Sequence, residues 1–305
     1  MILTHPEGDL AAATWIDLVS PTAEEVARVE AATGRHVPSE SEVSEIELSS
    51  RLGFSRGAYT VTTPVVYRGE NGDVAHGSVG LVLDRKRLLT VRFAAIPAFD
   101  EARTVCAREA SRSSEDAFLH VFEVLVDKAA DALEHAGVEI EALSRGTFAD
   151  RPVSSRTLRT TLRRIGLVAE KMSLLRDGLL GIGRIASFVN EGSFEQAPTP
   201  NAHRMKAIHE DVVSLTDYES HLSNKAQFLL DATLGFISIE QNEVVKALTI
   251  ASVVGVPPVI VAGIYGMNFR VMPELTWPLG YPFAIALMIV SGLLPLIWFK
   301  RRGWM

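Results

Sequence analysis

Residues 247–269 read ALTIASVVGVPPVIVAGIYGMNF, and residues 275–299 read LTWPLGYPFAIALMIVSGLLPLIWF. Neither run contains a charged residue. A helix of about 20 apolar residues crosses the roughly 30 Å of hydrocarbon in a bilayer, so each run is long enough to span a membrane. A buried core hairpin is a weaker explanation for two such runs in series. The sequence therefore predicts two transmembrane helices, over about residues 247–268 and 279–299.

The basic residues predict how these helices are oriented. Lys300, Arg301 and Arg302 directly follow the second run, and the cytoplasmic flanks of membrane helices are rich in Lys and Arg. Residues 1–10 include two acids and lack the apolar core of a signal peptide. We therefore predict a multi-pass protein of the cell (inner) membrane with both termini in the cytoplasm.

The part of the chain before the apolar runs is acidic. The whole sequence has 30 basic and 37 acidic residues, and the first 243 residues hold 25 and 36 of them, a net charge of -11. This balance argues against a nucleic-acid partner, which needs basic patches, and is compatible with attracting cations or with ordinary solubility. Cys106 is the single cysteine, so no intramolecular disulfide and no cysteine-rich metal site is expected.

This acidic part is predicted to be an α+β cytosolic domain with a small, largely antiparallel sheet. Residues 78–83 and 87–93 form a hairpin in this prediction, joined at Asp84-Arg85-Lys86. Further β-rich segments cover residues 14–19 and 58–67. Helical periodicity then follows over residues 98–111, 114–147 and 154–190.

A very long stalk helix is predicted to lead into the first membrane span. Between residues 201 and 268 the first proline is Pro257, so nothing earlier interrupts a helix. The predicted parts are an N-terminal cytosolic α/β part (1–97), a cytosolic helical part with the stalk helix (98–243) and a transmembrane domain (244–305).

One face of the first span carries small or weakly polar side chains. Steps of three and four residues connect them: Asn242, Val245, Thr249, Ser252, Val256, Val259, Gly263 and Gly266. Such spacing keeps one helix face against a partner or a symmetry axis. The stripe is explained equally by close helix packing and by the wall of a pore. Because two helices cannot enclose a pore, the second explanation requires a homo-oligomer.

Three short segments resemble the CorA family of divalent-cation transporters, of the two-transmembrane Gly-Met-Asn type. They are GIYGMNF (263–269), MPEL (272–275) and FKRRGW (299–304), and EQNEVVKALTI (240–250) also matches the run that leads into that family's first span. Gly-Met-Asn alone is a weak signal. Its position at the end of the first of two C-terminal spans makes the resemblance specific, and the close match covers residues 241–304.

The resemblance implies a homopentamer in the lipid bilayer that passes divalent cations and is not an enzyme. The transported ion is usually Mg²⁺, often with Co²⁺ or Ni²⁺, and no cofactor is implied. Gly266, Met267 and Asn268 would form the selectivity filter at the periplasmic entrance, with Glu274 in the periplasmic loop. The pore-lining positions, from the resemblance together with the stripe, are Asn242, Val245, Leu248, Thr249, Ser252, Val256, Val259 and Gly263.

Departures from the family pattern concern control and ion choice. The long-helix aspartate of the family's Mg²⁺ sensor falls at Ala207; Glu210 and Asp211 lie nearby as candidate substitutes, although acids on a solvated helix face need no such role. Val245 and Val256 occupy gate positions that often carry Met. One alternative function is a zinc transporter of the ZntB branch, which usually carries Val where Met267 stands. Another is a membrane-anchored sensor that transports nothing.

Overall fold

The computed structural model describes residues 1–45, 47, 51–69, 74–109, 113–149, 154–191, 200–268, 270 and 272–304. The chain divides into two compact units. The first unit comprises Met1–Arg151 and Thr160–Leu230, and the second comprises Pro152–Arg159 and Asp231–Met305.

The first unit contains a six-stranded mixed sheet. The strands are β1 (Ile2–His5), β2 (Trp15–Val19), β3 (Leu52–Ser55), β4 (Ala58–Arg68), β5 (Val74–Asp84) and β6 (Leu88–Arg92). Their order across the sheet is β1-β2-β6-β5-β4-β3. Only the β2–β6 pair among these strands is parallel. The predicted small, largely antiparallel sheet is therefore confirmed.

The predicted hairpin forms because Asp84 organises its turn. The Asp84 carboxylate accepts the N–H groups of Lys86 (2.7 Å) and Arg87 (2.9 Å) and the Nε–H of Arg35 (2.7 Å). Burial opposes the charged form, but these three donors outweigh it and lower the pKa of Asp84. The side chain thus provides hydrogen-bond acceptors for two backbone N–H groups in the turn that joins β5 to β6.

Two short helices cover one face of the sheet. They are α1 (Ala23–Thr33) and α2 (Glu40–Val43), and each begins with a capping box, at Thr22 and at Ser39. Gly80 of β5 makes room for α2, because a Cβ there would lie 2.8 Å from a methyl group of Val43.

In the described part of the chain, four longer helices follow the sheet and precede the last apolar run. They are α3 (Pro97–Glu109), α4 (Ser114–Thr147), α5 (Ser155–Glu191) and α6 (Pro200–Tyr265). In the first unit, α5 packs closely against β4. A Cβ at Gly181 would clash with the Thr63 hydroxyl, and a Cβ at Gly178 would lie 3.4 Å from the Pro64 carbonyl oxygen. Pro64 lies beyond the residues of β4 that pair with β3, so on that side its missing N–H costs no ladder hydrogen bond.

A buried ionic network joins the sheet to α3. Arg92 donates to the Asp17 carboxylate (Nη2 to Oδ2, 2.8 Å) and to the Ile96 carbonyl (3.2 Å). Thr90 donates to Asp17 (2.7 Å) and accepts from the Trp15 indole (3.0 Å). Asp17 and Arg92 are 1% and 2% exposed. Arg103 of α3 also donates to the Asp17 carboxylate (3.4 Å), so Arg92 is the buried partner of Asp17 and Arg103 is a second, less buried one.

The second unit contains the apolar helices. It holds the C-terminal part of α6, a 3₁₀ helix over Pro273–Thr276 and helix α7 (Gly280–Arg301). Both α6 and α7 are long and apolar enough to cross a membrane. Helix α6 runs through Pro257 and Pro258 and ends at Tyr265. This end lies three residues before the predicted one, because glycine at position 266 favours termination of the helix.

Candidate functional site

The Gly-Met-Asn segment begins directly where α6 ends. The N–H of Gly266 donates to the Ala262 carbonyl (2.9 Å), and that of Met267 donates to the Ile264 carbonyl (3.3 Å). These bonds continue the helical pattern for two residues. Asn268 is exposed and follows them, so its amide group is available at the C-terminal end of the first apolar helix.

The loop after this segment is held by the backbone of the 3₁₀ helix. The Thr276 hydroxyl donates to the Pro273 carbonyl (2.8 Å). Gly280, the first residue of α7, contacts the Glu274 carbonyl so closely that a side chain could not fit there. Glu274 is half-buried. Within the described residues, no hydrogen bond or ion pair links Glu274 to Asn268, so the structure does not join these two predicted site residues.

The stripe on α6 is exposed along its whole length in the single chain. All of its members, from Asn242 to Gly266, are exposed, as is Leu248. Val245, Val256 and Val259 expose 60%, 51% and 70% of their surface. The structure thus keeps the predicted pore-lining residues together on one uncovered face of one helix.

The opposite face of α6 is the one that is partly covered. At about 100° per residue, the half-buried positions centre roughly 180° away from the stripe. These positions are Lys246, Ile250, Val254, Pro257, Pro258, Val261 and Tyr265. Helix α7 reaches this side, because Gly292 lies against Val254 and Pro258. The second apolar helix therefore leaves the stripe available to another molecule or to water.

The chemistry of the stripe is neutral. It offers an amide at Asn242 and hydroxyls at Thr249 and Ser252, and it contains no Cys, His, Asp or Glu. Thr249 donates its hydroxyl hydrogen to the Val245 carbonyl (2.8 Å). The Thr249 oxygen keeps its acceptor capacity, so it can accept a hydrogen bond from water around a cation. Such a face can contact a hydrated ion without trapping it.

The two candidate sensing residues lie in different surroundings. Glu210 is exposed and pairs with Lys206 one turn away (3.5 Å), which is an ordinary surface ion pair. Asp211 belongs to a group of carboxylates on the first unit that surrounds Asp127. The pKa of Asp127 is raised first by burial and then by the negative charges of Asp131, Glu123, Asp211 and Glu101.

This group of carboxylates was not predicted. Glu123, Asp127 and Asp131 recur every four residues on α4, so their shared face was readable from the sequence. The contributions of Glu101 from α3 and Asp211 from α6 depend on the tertiary fold. Across the described part of the chain, no three His, Cys, Asp or Glu side chains are arranged to hold a metal ion.

An α/β unit followed by two helices that are long and apolar enough to cross a membrane indicates the class of integral membrane proteins. Residues 11–301 match the family described as CorA-like Mg2+ transporter protein. The chain therefore belongs to the CorA-like Mg²⁺ transporter family, whose members are transporters and not enzymes. The resemblance read from the Gly-Met-Asn segment is confirmed.

Individual relatives agree with this assignment. The magnesium transport protein CorA of Yersinia pseudotuberculosis serotype I is 33% identical over 307 residues, covering 97% of this chain and 93% of the relative. The complete structure of the CorA magnesium transporter from Methanocaldococcus jannaschii has a TM-score of 0.75 at 19% identity and covers 95% of this chain and 91% of its own.

The fold is also shared with a solved cytoplasmic domain. The cytoplasmic domain of ZntB from Vibrio parahaemolyticus aligns with a TM-score of 0.50 at 12% identity, covering 72% of this chain and 86% of its own. At this identity the similarity concerns the fold alone. The scaffold of the first unit therefore does not decide between Mg²⁺ and Zn²⁺.

Proposed function

We propose that this protein is the subunit of a homo-oligomeric channel that carries divalent cations, chiefly Mg²⁺, across the cell (inner) membrane. The observation that carries the proposal is the uncovered neutral stripe on α6, which ends at the Gly-Met-Asn segment while α7 covers the opposite face. A helix in this arrangement is complete only when further copies surround the stripe. The family resemblance supports five copies.

The residues at the end of the stripe suit a hydrated ion. Mg²⁺ gives up its water reluctantly and is commonly held through its hydration shell. A ring of Asn268 amides would offer oxygen atoms to that shell without the full charge that would trap the ion. In the proposed filter, Gly266 and Met267 shape the segment that presents Asn268, and Glu274 adds negative charge in the periplasmic loop.

The driving force follows from membrane potential. With both termini in the cytoplasm, a divalent cation that enters down 100 mV gains about 4.6 kcal/mol, twice the value for a single charge. Passive uptake of Mg²⁺ then needs no nucleotide or other cofactor. Co²⁺ and Ni²⁺ are the further ions that the same filter would admit.

Cytosolic Mg²⁺ is also proposed as a regulatory ion. Asp211 is the better candidate for sensing, because its charge helps to raise the pKa of the Asp127 carboxyl. A cation bound nearby would reduce the repulsion among these carboxylates. Glu210 already has Lys206 as its partner. Ala207 cannot contribute a ligand.

The test is transport by the full-length protein in proteoliposomes. We expect uptake of Mg²⁺, measured with an internal fluorescent indicator, and competition by Co²⁺ and Ni²⁺. Asn268→Ala should abolish Mg²⁺ selectivity or strongly reduce uptake while leaving the oligomer intact. Asn224→Ala, an exposed asparagine of α6 outside the apolar run, is the matched control.

Three results would contradict the proposal in different ways. Wild-type selectivity in Asn268→Ala would remove this residue from the filter. Faster uptake of Zn²⁺ than of Mg²⁺ would favour the ZntB-type alternative. Absence of any ion flux in the wild-type oligomer would favour a membrane-anchored sensor.

A further inference from the structure

Gly292 of α7 lies against the turn of α6 that contains the two prolines. A Cβ added at Gly292 would lie 3.3 Å from Cγ of Pro258 and 3.5 Å from the carbonyl oxygen of Val254. The first distance is shorter than ordinary van der Waals packing. A side chain at position 292 therefore requires the Pro258 ring, or the turn of α6 that carries it, to give by a few tenths of an ångström.

The Val254 carbonyl has lost its main-chain partners. In an α-helix the carbonyl of residue i accepts from the N–H of residue i+4, and in a tighter turn from that of i+3. For Val254 these residues are Pro258 and Pro257, and proline has no N–H. The neighbouring carbonyl of Val253 keeps the N–H of Val256 at i+3 as a donor. The carbonyl of Val254 is thus the one for which both usual donors, at i+3 and at i+4, are replaced by prolines.

Gly292 covers this carbonyl. A Cβ in place of a Gly292 hydrogen would lie 3.5 Å from the Val254 oxygen, which is ordinary van der Waals contact, so the backbone of α7 packs against this carbonyl. A polar backbone group exposed to lipid without a partner is costly, and irregular backbone is tolerated where it is buried in protein. The close approach of α7 therefore makes the double proline compatible with a membrane interior.

The same turn of α6 presents Val256 and Val259 on its other side. At about 100° per residue Val256 points roughly 160° away from both Val254 and Pro258, and Val259 points about 140° away from Val254. Both valines are exposed. We propose that Gly292 is a positioning residue for the pore-lining helix: it supports the proline turn from behind and thereby sets how far Val256 and Val259 reach toward the pore axis. This inference rests on the proposed channel function.

Substitution of Gly292 should act on conduction and leave ion entry unchanged. A larger side chain pushes the turn away from α7, toward the stripe side, and narrows the ring that Val256 and Val259 of the subunits would form in the proposed channel. We expect Gly292→Val to lower the maximal rate of Mg²⁺ uptake in proteoliposomes by about tenfold, a typical consequence of inserting methyl groups into a tight contact. Gly292→Ala should lower it by a smaller factor. The Mg²⁺ concentration at half-maximal rate should not change, because Asn268 lies beyond the end of α6.

Pro258→Ala provides the specific rescue. This change removes the Cγ atom nearest to position 292 and supplies an N–H to the Val254 carbonyl. Gly292→Ala should therefore reduce the rate less in the Pro258→Ala background than in the wild type. Gly166→Ala is the matched control, since a Cβ there meets nothing within 4 Å. Light scattering after gel filtration shows whether each variant keeps the wild-type oligomer.

Several outcomes would overturn the inference. They are a wild-type maximal rate in Gly292→Val, a change confined to the half-maximal concentration, and losses that simply add in the double variant. If Gly292→Val does not assemble, the comparison of Gly292→Ala in the two backgrounds decides the question. A wild-type protein that passes no Mg²⁺ would instead contradict the proposed function.

Discussion

The two compact units place their apolar and charged groups in opposite ways. In the first unit Trp15, Phe99 and Phe118 are almost fully buried, and the buried charges of Asp17 and Arg92 compensate each other. In the second unit none of the residues in the most apolar stretch of α6 is fully buried, and only 11% of those in the most apolar stretch of α7 are. The first unit has the interior of a protein folded in water, whereas the second exposes surface that lipid and further chains must cover.

Net charge follows the same division. The second unit has seven basic and four acidic residues, a net charge of +3, so the first unit carries the remaining -10 of the total of -7. An acidic surface raises the local concentration of cations. Basic residues beside an apolar helix favour the anionic cytoplasmic leaflet. Both properties agree with the proposed orientation of a cation channel.

The largest effect is expected where the first unit relies on internal compensation. Asp17→Ala leaves the Arg92 guanidinium buried without its main partner, which typically costs about 3–5 kcal/mol. We expect a strongly lowered midpoint of thermal unfolding, measured by tryptophan fluorescence, to which Trp15 beside the network contributes through its contact with Thr90.

Asp100→Ala is the matched control for this change. Asp100 also approaches Arg92 (3.5 Å) and pairs with Arg103 (3.0 Å), but its side chain is 65% exposed. Exposed ion pairs contribute about 1 kcal/mol or less. Equal destabilisation by the two variants would show that burial of the pair does not determine its importance.

A second pair of variants tests whether both exposed faces of the second unit are alike. Leu294 of α7 is 63% exposed and Val256 of the stripe is 51% exposed. If Leu294 faces lipid, Leu294→Asp should reduce membrane insertion, with a cost of about 2.5–3.5 kcal/mol. Val256→Asp should insert and assemble more readily, because water in a pore solvates the carboxylate.

The measurement is the amount of membrane-integrated oligomer for each variant at equal expression. Leu294→Asn and Val256→Asn, which add a polar group without charge, are the controls. If Val256→Asp is lost from the membrane as completely as Leu294→Asp, the stripe is a dry packing face and the pore explanation fails.

Sequence reasoning succeeded where a local pattern decides the structure. Each of the features it found, namely the apolar runs, the long helix and the turn at Asp84, depends on one continuous segment of the sequence. Strands β1 and β3 were missed because both are four-residue edge strands with a single neighbour each, and such short segments carry little pattern.

The candidate site was predictable to a similar degree. The 3–4 spacing identified the stripe, but every face of α6 in this region is largely apolar. Which face is covered depends on where α7 packs, and Gly292 sets that contact across some 35 positions of sequence. The carboxylates around Asp127 show the same limit, because Asp211 joins them only through the tertiary fold. The roles assigned to Asn268 and the pore positions remain predictions.

The smallest effect concerns a histidine on the surface of the first unit. His36 contacts the carboxylates of Glu30 (2.9 Å) and Glu42 (3.2 Å). Burial lowers the pKa of His36, but the hydrogen bonds to Glu42 and Glu30 outweigh it, so the pKa is raised above 6.5. The stabilisation is therefore fully present below about pH 6.5 and is lost as the pH rises through the raised pKa.

Since the His36 side chain is 67% exposed, we expect it to contribute less than about 1 kcal/mol to the free energy of unfolding. His36→Gln should lower the unfolding midpoint at pH 6 and match the wild type at pH 9, and His203→Gln, at an exposed position of α6, is the control substitution. A pH-independent difference for His36→Gln would mean that its contacts with Glu30 and Glu42 do not depend on its charge.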